Sequence, residues 1–383
     1  MVGCGVDVNC NLLAGFYEGR TIAITGAGGS VGQLLTRRLL QLNIRRLIAI
    51  DIDPTALRAL STQTTNDPRV QTVLQDITEA PKLAELFTGT EIVFHAAAQK
   101  HICIAEEDPI GTLRINAFGL ANVRNAAFKA GVDRLVFTSS DKAVAPTGTM
   151  GASKLIGERI LAGIPTETTY QNQGTRTASL RFGNIGGSSG SVIPRFHEAI
   201  KLGVPIPLTD PNMTRFVMTP RQASDLVLSS AILAQGGEIL IAKMPSLRIR
   251  DLAVEMVRML ATHYGWDPVN YPIEVKGIRA GEKLKEELTS EAENHRLMSN
   301  GRFLCVLPEA PERQKHLRAR YQNEGFKTIA RIYSSESEPP MTPQQIREFL
   351  LQQDVLPESV QQACTQTRVD TETHAARQTE VAL

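Results

Sequence analysis

Short apolar runs alternate with helical patterns over the first half of the chain. Strands are expected at Thr21–Thr25 (TIAIT), 47–51 (LIAID), 70–75, 91–95 (EIVFH), 134–139 (RLVFTS) and 178–182. Helices are expected between them, at 30–42 and 116–130 among others. Short continuous apolar strands separated by helices predict a parallel sheet covered on both faces. After Asn184 the texture changes to Gly- and Pro-rich stretches such as GGSSGSVIPRF and KLGVPIPLTDP. Helices are predicted there at 221–235 and 250–263, with a strand at Glu238–Ala242 between them. The expected fold class is α/β: a doubly wound parallel Rossmann sheet with a smaller, partly interleaved substrate domain.

These patterns suggest boundaries. Residues 1–183 plus about 217–244 form the first expected domain, and 184–216 plus about 245–333 the second. Residues 334–383 read as a polar C-terminal tail (SSESEPPMTPQQ). Within it Thr342 and Pro343 mark the start of a short helix at 343–352, and disorder is expected beyond Thr365. No internal repeat is visible.

Composition narrows the function classes. With 383 residues and 42% hydrophobic content the chain can bury a sizeable core in two domains. Forty-one basic and 40 acidic residues leave a formal charge of +1, so net charge draws the chain neither to nucleic acid nor to a membrane surface. No run approaches the ~18 apolar residues of a membrane span. The N-terminal MVGCGVDVNC lacks the basic start and apolar run of a secretory signal. Five scattered cysteines, an odd number, suggest neither zinc nor a disulfide framework and fit a reduced, cytoplasmic setting. No metal site is expected.

The chemistry begins with TGAGGSVG at 25–32, between a strand and a helix. Gly26, Gly29 and Gly32 set a G-x-x-G-x-x-G spacing, with Gly28, Ser30 and Val31 completing the loop. Glycine lets the backbone turn tightly and approach a pyrophosphate seated on the helix N-terminus. Asp51 ends the second strand, nineteen residues after Gly32. An acid there accepts both ribose hydroxyls and repels a 2′-phosphate, which favours NAD over NADP. Asp53, before Pro54, reads as a helix cap. Asp76, with Ile77 beside it, follows the third strand, within reach of an adenine amino group. Ala96, Ala97 and Ala98 follow the fourth, small enough to pass beneath a cofactor.

At the end of the fifth strand stands TSSDK (138–142), and twelve residues beyond Lys142 comes Lys154, in MGASK. Extended short-chain dehydrogenases place Ser or Thr at such a strand end and Y-x-x-x-K on the next helix. Residues four apart share a helical face, and the Lys charge helps the Tyr act as a base. Here the Tyr position is Met150, whose thioether accepts no proton.

From about Glu18 to about Thr289 the chain resembles the UDP-N-acetylglucosamine 4,6-dehydratases, in their Met-for-Tyr variant. The resemblance is carried by AAAQKHICIAEEDP (96–109), SSDKAVAPTGTMGASK (139–154), RFGNIGGSSGSVIPRF (181–196), DPNMTRFVMT (210–219) and IRAGEKLKEEL (278–288). It implies a bound NAD that takes hydride from sugar carbon-4 and returns it to carbon-6 after water is eliminated across carbons 5 and 6. It implies Lys142 as the carbon-5 base, and Asp141 as the acid for the carbon-6 hydroxyl. Asp141 also becomes the leading base for the carbon-4 hydroxyl, ahead of Lys154 or a water held by Ser140. Ser139, Asn116 and Lys154 join the cofactor contacts. Lys100, Asn184, Ser191, Val192, Arg215, Arg279 and Glu282 are the implied contacts of a UDP-sugar. His101 is expected to be a structural hydrogen-bonder. A homo-oligomer is expected because relatives usually are.

Several positions depart from the family pattern. Ser189 stands where Arg is usual, Gly186 replaces a larger apolar residue, and Ala280 and Cys103 replace prolines. Two alternatives stay open: a 4-epimerase or dehydratase of another nucleotide sugar, and a cofactor-sensing regulator with decayed catalysis.

Overall fold

A computed structural model of the chain describes residues 10–163, 174–187, 191–278, 282–353 and 356–361. The chain divides into two compact units. The first comprises residues 1–183, 220–245 and 285–338; the second comprises 184–219, 246–284 and 339–383.

The first unit is built on one ten-stranded sheet. Its order is Lys327–Thr328, Leu297–Ser299, Phe303–Val306, Glu238–Ala242, Arg176–Arg181, Arg134–Thr138, Ile92–His95, Thr21–Thr25, Arg46–Asp51 and Val70–Leu74. The last seven strands run parallel. Every residue of Thr21–Thr25 and Arg134–Thr138 is buried, as strands covered on both faces require. The helices Ala80–Leu86 and Leu120–Ala130 close one face, where Phe87, Val123, Ala127 and Phe137 share a core. Ser30–Leu40 packs against Pro220–Leu233. Strand order reverses between Thr21–Thr25 and Ile92–His95, the switch point beyond whose carboxyl ends ligands bind in such sheets.

The predicted α/β class and the parallel strands are found. Three features differ. Residues 285–338 belong to the sheet unit, whereas 245–333 was expected to be part of the second domain. They add the antiparallel strands Phe303–Val306, Leu297–Ser299 and Lys327–Thr328. Strands this short show no readable alternation, and their pairing with Glu238–Ala242 is a long-range choice. Second, the helix expected at 116–130 opens with a π-helical stretch, Arg114–Gly119, before Leu120–Ala130. A Cβ at Gly119 would lie 2.7 Å from Ile77 Cδ1, so a larger residue there would require the Ile77 side chain to shift.

The third difference concerns the tail. In the second unit, Val192–Leu202 and Ile249–Leu260 pack around Phe196, Ile200, Leu252 and Met256. Ile346, Phe349 and Leu350, from the expected tail, are buried in that same core. Their helix, Pro343–Leu351, has the expected Thr342 cap: its hydroxyl accepts from the Gln345 N–H at 3.3 Å, and Gln345 Oε1 accepts from the Thr342 N–H at 2.7 Å. A polar run hid three core residues at helical spacing. The segment beyond Thr365 lies outside the described residues. Among the described residues no helix is long and apolar enough to cross a membrane.

This helix also explains Gly186. A Cβ there would stand 2.5 Å from Gln353 Oε1 and 2.8 Å from Phe349 Cζ. The tail occupies the volume that a larger residue at position 186 would need. Gly186→Val should therefore destabilise the fold by about 1–3 kcal/mol through overpacking. Urea unfolding measures this, and an unchanged midpoint would show that the helix does not press on residue 186.

Candidate active site

The phosphate loop is shaped by close approach. Gly26 has φ +74°, and a Cβ on it would lie 2.4 Å from Ala97 N. A Cβ on Gly32 would lie 2.2 Å from Gly26 O, so glycine is what lets the helix start directly under the turn. Gly29 starts the Ser30–Leu40 helix without a side-chain cap, which leaves the first N–H groups to an anion. The Asp51 carboxylate accepts the Gly28 N–H at 2.8 Å and the Asp53 N–H at 3.0 Å, which fixes it at the strand end. Ala96 N donates to Thr25 O at 2.9 Å and brings Ala96 and Ala97 alongside the loop. The glycine backbone, open helix end and fixed acid fit a dinucleotide.

The catalytic stretch follows Arg134–Thr138. Ser140 Oγ lies 2.5 Å from Asp141 Oδ1, and Lys142 Nζ lies 3.1 and 3.2 Å from the two Asp141 oxygens. Asp141 is buried, which by itself raises its pKa. The Lys142 charge and hydrogen bonds from Ser140, Lys142 and Glu286 outweigh this and hold the pKa below the ordinary carboxylate value. Asp141 is thus an anion at neutral pH, able to accept a proton.

Met150 and Lys154 lie on the Thr149–Ala162 helix, both buried. Lys154 Nζ donates to Thr138 O at 3.0 Å and sits 4.7 Å above the Phe137 ring centre. Burial lowers its pKa to about 8, against the opposing charge of Glu158. A Cβ on Gly151 would lie 2.3 Å from Lys142 O, so this glycine lets the helix rest on the catalytic turn. Asn116, in the π-helical stretch, donates to Ser153 Oγ at 2.9 Å and Gln99 O at 3.0 Å, and Ser153 in turn donates to Met150 O at 2.7 Å. A π-helical insertion beside such residues commonly marks function.

Behind the turn runs a buried ionic chain. Ser139 Oγ donates to Glu158 Oε1 at 2.6 Å. Arg181 binds Glu158 at 2.7 and 2.8 Å, Glu293 at 2.8 and 2.9 Å, and Leu288 O at 2.9 Å. Burial would lower the pKa of Arg181, but the two carboxylates raise it above its ordinary value.

The family model described as polysaccharide biosynthesis protein matches residues 22–308. The chain belongs to the polysaccharide biosynthesis protein family. It is 36% identical to an uncharacterized membrane protein of Methanocaldococcus jannaschii, over 83% of this chain and 94% of that protein. It is 32% identical to UDP-N-acetylglucosamine 4,6-dehydratase (inverting) of Campylobacter jejuni, over 76% and 84% of the two chains. The X-ray structure of Pen from Bacillus thuringiensis is similar with a TM-score of 0.78 at 30% identity, covering 89% of this chain and 100% of that one. The resemblance carried by the motifs is borne out. This member of the family is an enzyme of the nucleotide-sugar dehydratase and epimerase type.

The structure gathers Ser139, Ser140, Asp141, Lys142, Met150, Lys154 and Asn116 in the sheet unit of this family member. Asp76 caps its own turn, accepting the Thr78 N–H at 2.8 Å, beside the buried Ile77. Lys100 and His101 are exposed, and the bonds described for His101 run through its backbone, so a structural role for its ring is not seen. Asn184, Ser191, Val192, Arg215 and Glu282 lie in the second unit. Ser191 holds the N-cap position of the Val192–Leu202 helix. Its buried hydroxyl has no partner among the described residues, which suits a phosphate oxygen. Asn184 Nδ2 donates to Phe216 O at 3.1 Å, and Arg215 to Thr214 O at 2.8 Å. Arg279, Ala280 and Ser189 lie outside the described residues.

Several residues of this site went unread in the sequence. Glu106 accepts the Thr149 N–H at 2.6 Å and the Thr149 hydroxyl at 3.1 Å, and so caps the helix that carries Met150 and Lys154. A Cβ on Gly148 would lie 2.4 Å from that carboxylate. The final Glu of the AAAxKHVPxxE pattern was the available signal. His95 is buried, with Nδ1 2.7 Å from Thr25 Oγ1. Burial and then the Lys154 charge lower its pKa to about 3, so it stays neutral.

Two outcomes are expected. Glu106→Ala should cost about 1 kcal/mol of stability through the lost cap, measured by urea unfolding. No loss would show that Glu106 does not hold the helix. Lys154 should titrate at about 8 by NMR of labelled lysine. Its folded pKa lies below the unfolded value, so the unfolded chain binds the extra proton between about 8 and 10.5, and stability rises with pH across that window. Titration near 10 would refute this.

Proposed function

We propose that this chain is an NAD-dependent 4,6-dehydratase of a UDP-N-acetylhexosamine, with UDP-N-acetylglucosamine as substrate. The observation that carries this reading is the Ser140–Asp141–Lys142 cluster standing where Met150 provides no base. A bound nicotinamide supplies the hydride acceptor for carbon-4 and the donor for carbon-6. Asp141, held as an anion, takes the carbon-4 hydroxyl proton. Oxidation at carbon-4 makes the carbon-5 hydrogen acidic; once Asp141 is neutralised, the Lys142 ammonium releases its proton to solvent water and the resulting amine takes the carbon-5 proton. Asp141 then passes its proton to the departing carbon-6 hydroxyl, which leaves as water. Lys142 returns its proton to carbon-5. An epimerase has no use for this Asp-Lys pair and relies on the missing Tyr.

Asp51 supports NAD over NADP: its fixed carboxylate would meet a 2′-phosphate. Ser191 at its helix N-terminus, with Asn184, Val192, Arg215, Arg279 and Glu282, is the proposed grip on the UDP-sugar, joined by Lys100. Exposed Ile110, Phe118 and Ile156 give the first unit apolar surface suited to a second copy of the chain, and a homo-oligomer is the proposed assembly.

Incubation with UDP-N-acetylglucosamine and NAD should yield a 4-keto-6-deoxy sugar without net NADH. No product would favour the decayed-regulator reading. Asp141→Asn should form no bound NADH on mixing, whereas Lys142→Ala should form it and stall before elimination. Stopped-flow absorbance separates the two, and rapid NADH formation by Asp141→Asn would assign the first proton to another base. NAD should bind more tightly than NADP, and Asp51→Ala should erode the difference. Equal binding by the unmodified protein would refute the role of Asp51.

A further inference from the structure

One stripe of the Thr149–Ala162 helix lies against the catalytic stretch. Gly151, Lys154 and Glu158 recur at the spacing that puts side chains on one helical face. Gly151 meets Lys142 O, which a Cβ there would approach to 2.3 Å. Lys154 Nζ donates to Thr138 O at 3.0 Å, and Glu158 Oε1 accepts from Ser139 Oγ at 2.6 Å. The helix therefore touches the chain at Thr138 and Ser139, just before Ser140 and Asp141, and at Lys142, just after them. Gly151 and Lys154 already have places in the site. Glu158 has none, yet its bond is the shorter of the two.

Glu158 is itself held fast. Its side chain is 1% exposed. Oε1 also accepts from Arg181 Nε at 2.8 Å, and Oε2 accepts from Arg181 Nη2 at 2.7 Å. A carboxylate only accepts, so the Ser139 hydroxyl hydrogen is committed to Glu158, and any further partner of Ser139 must donate to it. The sheet loosens just beyond this point. Ser139 N donates to Leu180 O at 2.8 Å, whereas Asp141 N reaches Phe182 O only at 3.3 Å. The bond from Ser139 to Glu158 is thus a tight side-chain anchor on the strand side of the catalytic turn.

We propose that Glu158 is a positioning residue for the reaction: through Ser139 it sets where the Ser140–Asp141–Lys142 turn stands, so that Asp141 and Lys142 meet the sugar from fixed positions. The inference rests on the dehydratase reading above. Glu158 exchanges no proton. Asp141 has to face the carbon-4 hydroxyl in the first step and the carbon-6 hydroxyl in the elimination, and Lys142 has to face the carbon-5 hydrogen between them. A displacement of about 1 Å is enough to cost on the order of a hundredfold in rate. An anchor one residue ahead of the turn guards against such a displacement.

Glu158→Asp and Glu158→Gln separate position from charge. Aspartate keeps the charge and draws the carboxylate back by one methylene, away from Ser139. Glutamine keeps the length and an oxygen that accepts from Ser139. In both variants Arg181 retains Glu293, at 2.8 and 2.9 Å, so the buried guanidinium stays paired. Bound NADH formation on mixing with UDP-N-acetylglucosamine should slow more than about tenfold in Glu158→Asp, with KM for the UDP-sugar within about twofold. Glu158→Gln should recover most of the rate. Ser139→Ala supplies the decisive comparison. Because Glu158 acts through Ser139, adding Glu158→Asp to Ser139→Ala should slow the reaction by less than about twofold further. A merely structural Glu158 would lower the melting temperature and leave the rate of the folded enzyme as it is. Full rate in Glu158→Asp, or additive losses in the double variant, would overturn the proposal. An unmodified protein that forms neither bound NADH nor a 4-keto-6-deoxy sugar would overturn the dehydratase reading, and the positioning role with it. Variants that match an active unmodified protein would overturn the role alone.

Discussion

A single buried cation organises the sheet unit around its chemistry. Arg181 ends a central strand, is 1% exposed, and carries a charge that the interior tolerates only with partners. Those partners come from different parts of the chain: Glu158 from the Thr149–Ala162 helix, and Glu293 and Leu288 O from the segment after residue 285. Glu158 also holds Ser139, at the start of the catalytic stretch. The strand end with Asp141 and Lys142, the helix with Met150 and Lys154, and the segment with Glu286 are therefore tied to one guanidinium. A lysine would not do the same, because only a planar fork grips two carboxylates in bidentate fashion.

What was legible in the sequence follows from range. The parallel strands and the phosphate loop announce themselves through local patterns: buried apolar runs, glycines at fixed spacing, and an acid at a strand end. Asp141, Lys142 and Lys154 were legible because their motif is contiguous. Glu158 was not, although it lies one turn beyond Lys154, because its partners Ser139 and Arg181 stand on other elements and a solvated helix acid would look the same. The antiparallel strands failed for the same reason: two to four residues carry no periodicity, and their place depends on which strand edge is open.

The tail shows how a departure from a family pattern can be a packing statement. Gly186 stands where the family pattern has a larger apolar residue. Its missing side chain is balanced by Phe349 and Gln353, which occupy the space from the other direction. Filled volume, rather than residue identity, is what close packing demands of this core. The composition of the tail concealed this, because Ile346, Phe349 and Leu350 are embedded among glutamines and charged residues.

The proposed reaction also accounts for the absence of a phenol at position 150. A Tyr base works because neighbouring positive charge lowers its pKa toward neutrality. A carboxylate starts far below neutrality, and its difficulty is the opposite one: burial raises its pKa, and a strongly paired anion is a weak base. In this site burial pushes Asp141 up while Lys142, Ser140 and Glu286 pull it down. The downward pull prevails, so Asp141 is an anion at the start of the proposed reaction, and once it has taken the carbon-4 proton it gives that proton up readily in the next step. In the proposed reaction the Met150 side chain has packing work alone. Its thioether fills the buried helix face, and its backbone carbonyl, bonded by Ser153, joins that helix to Asn116 and the π-helical stretch.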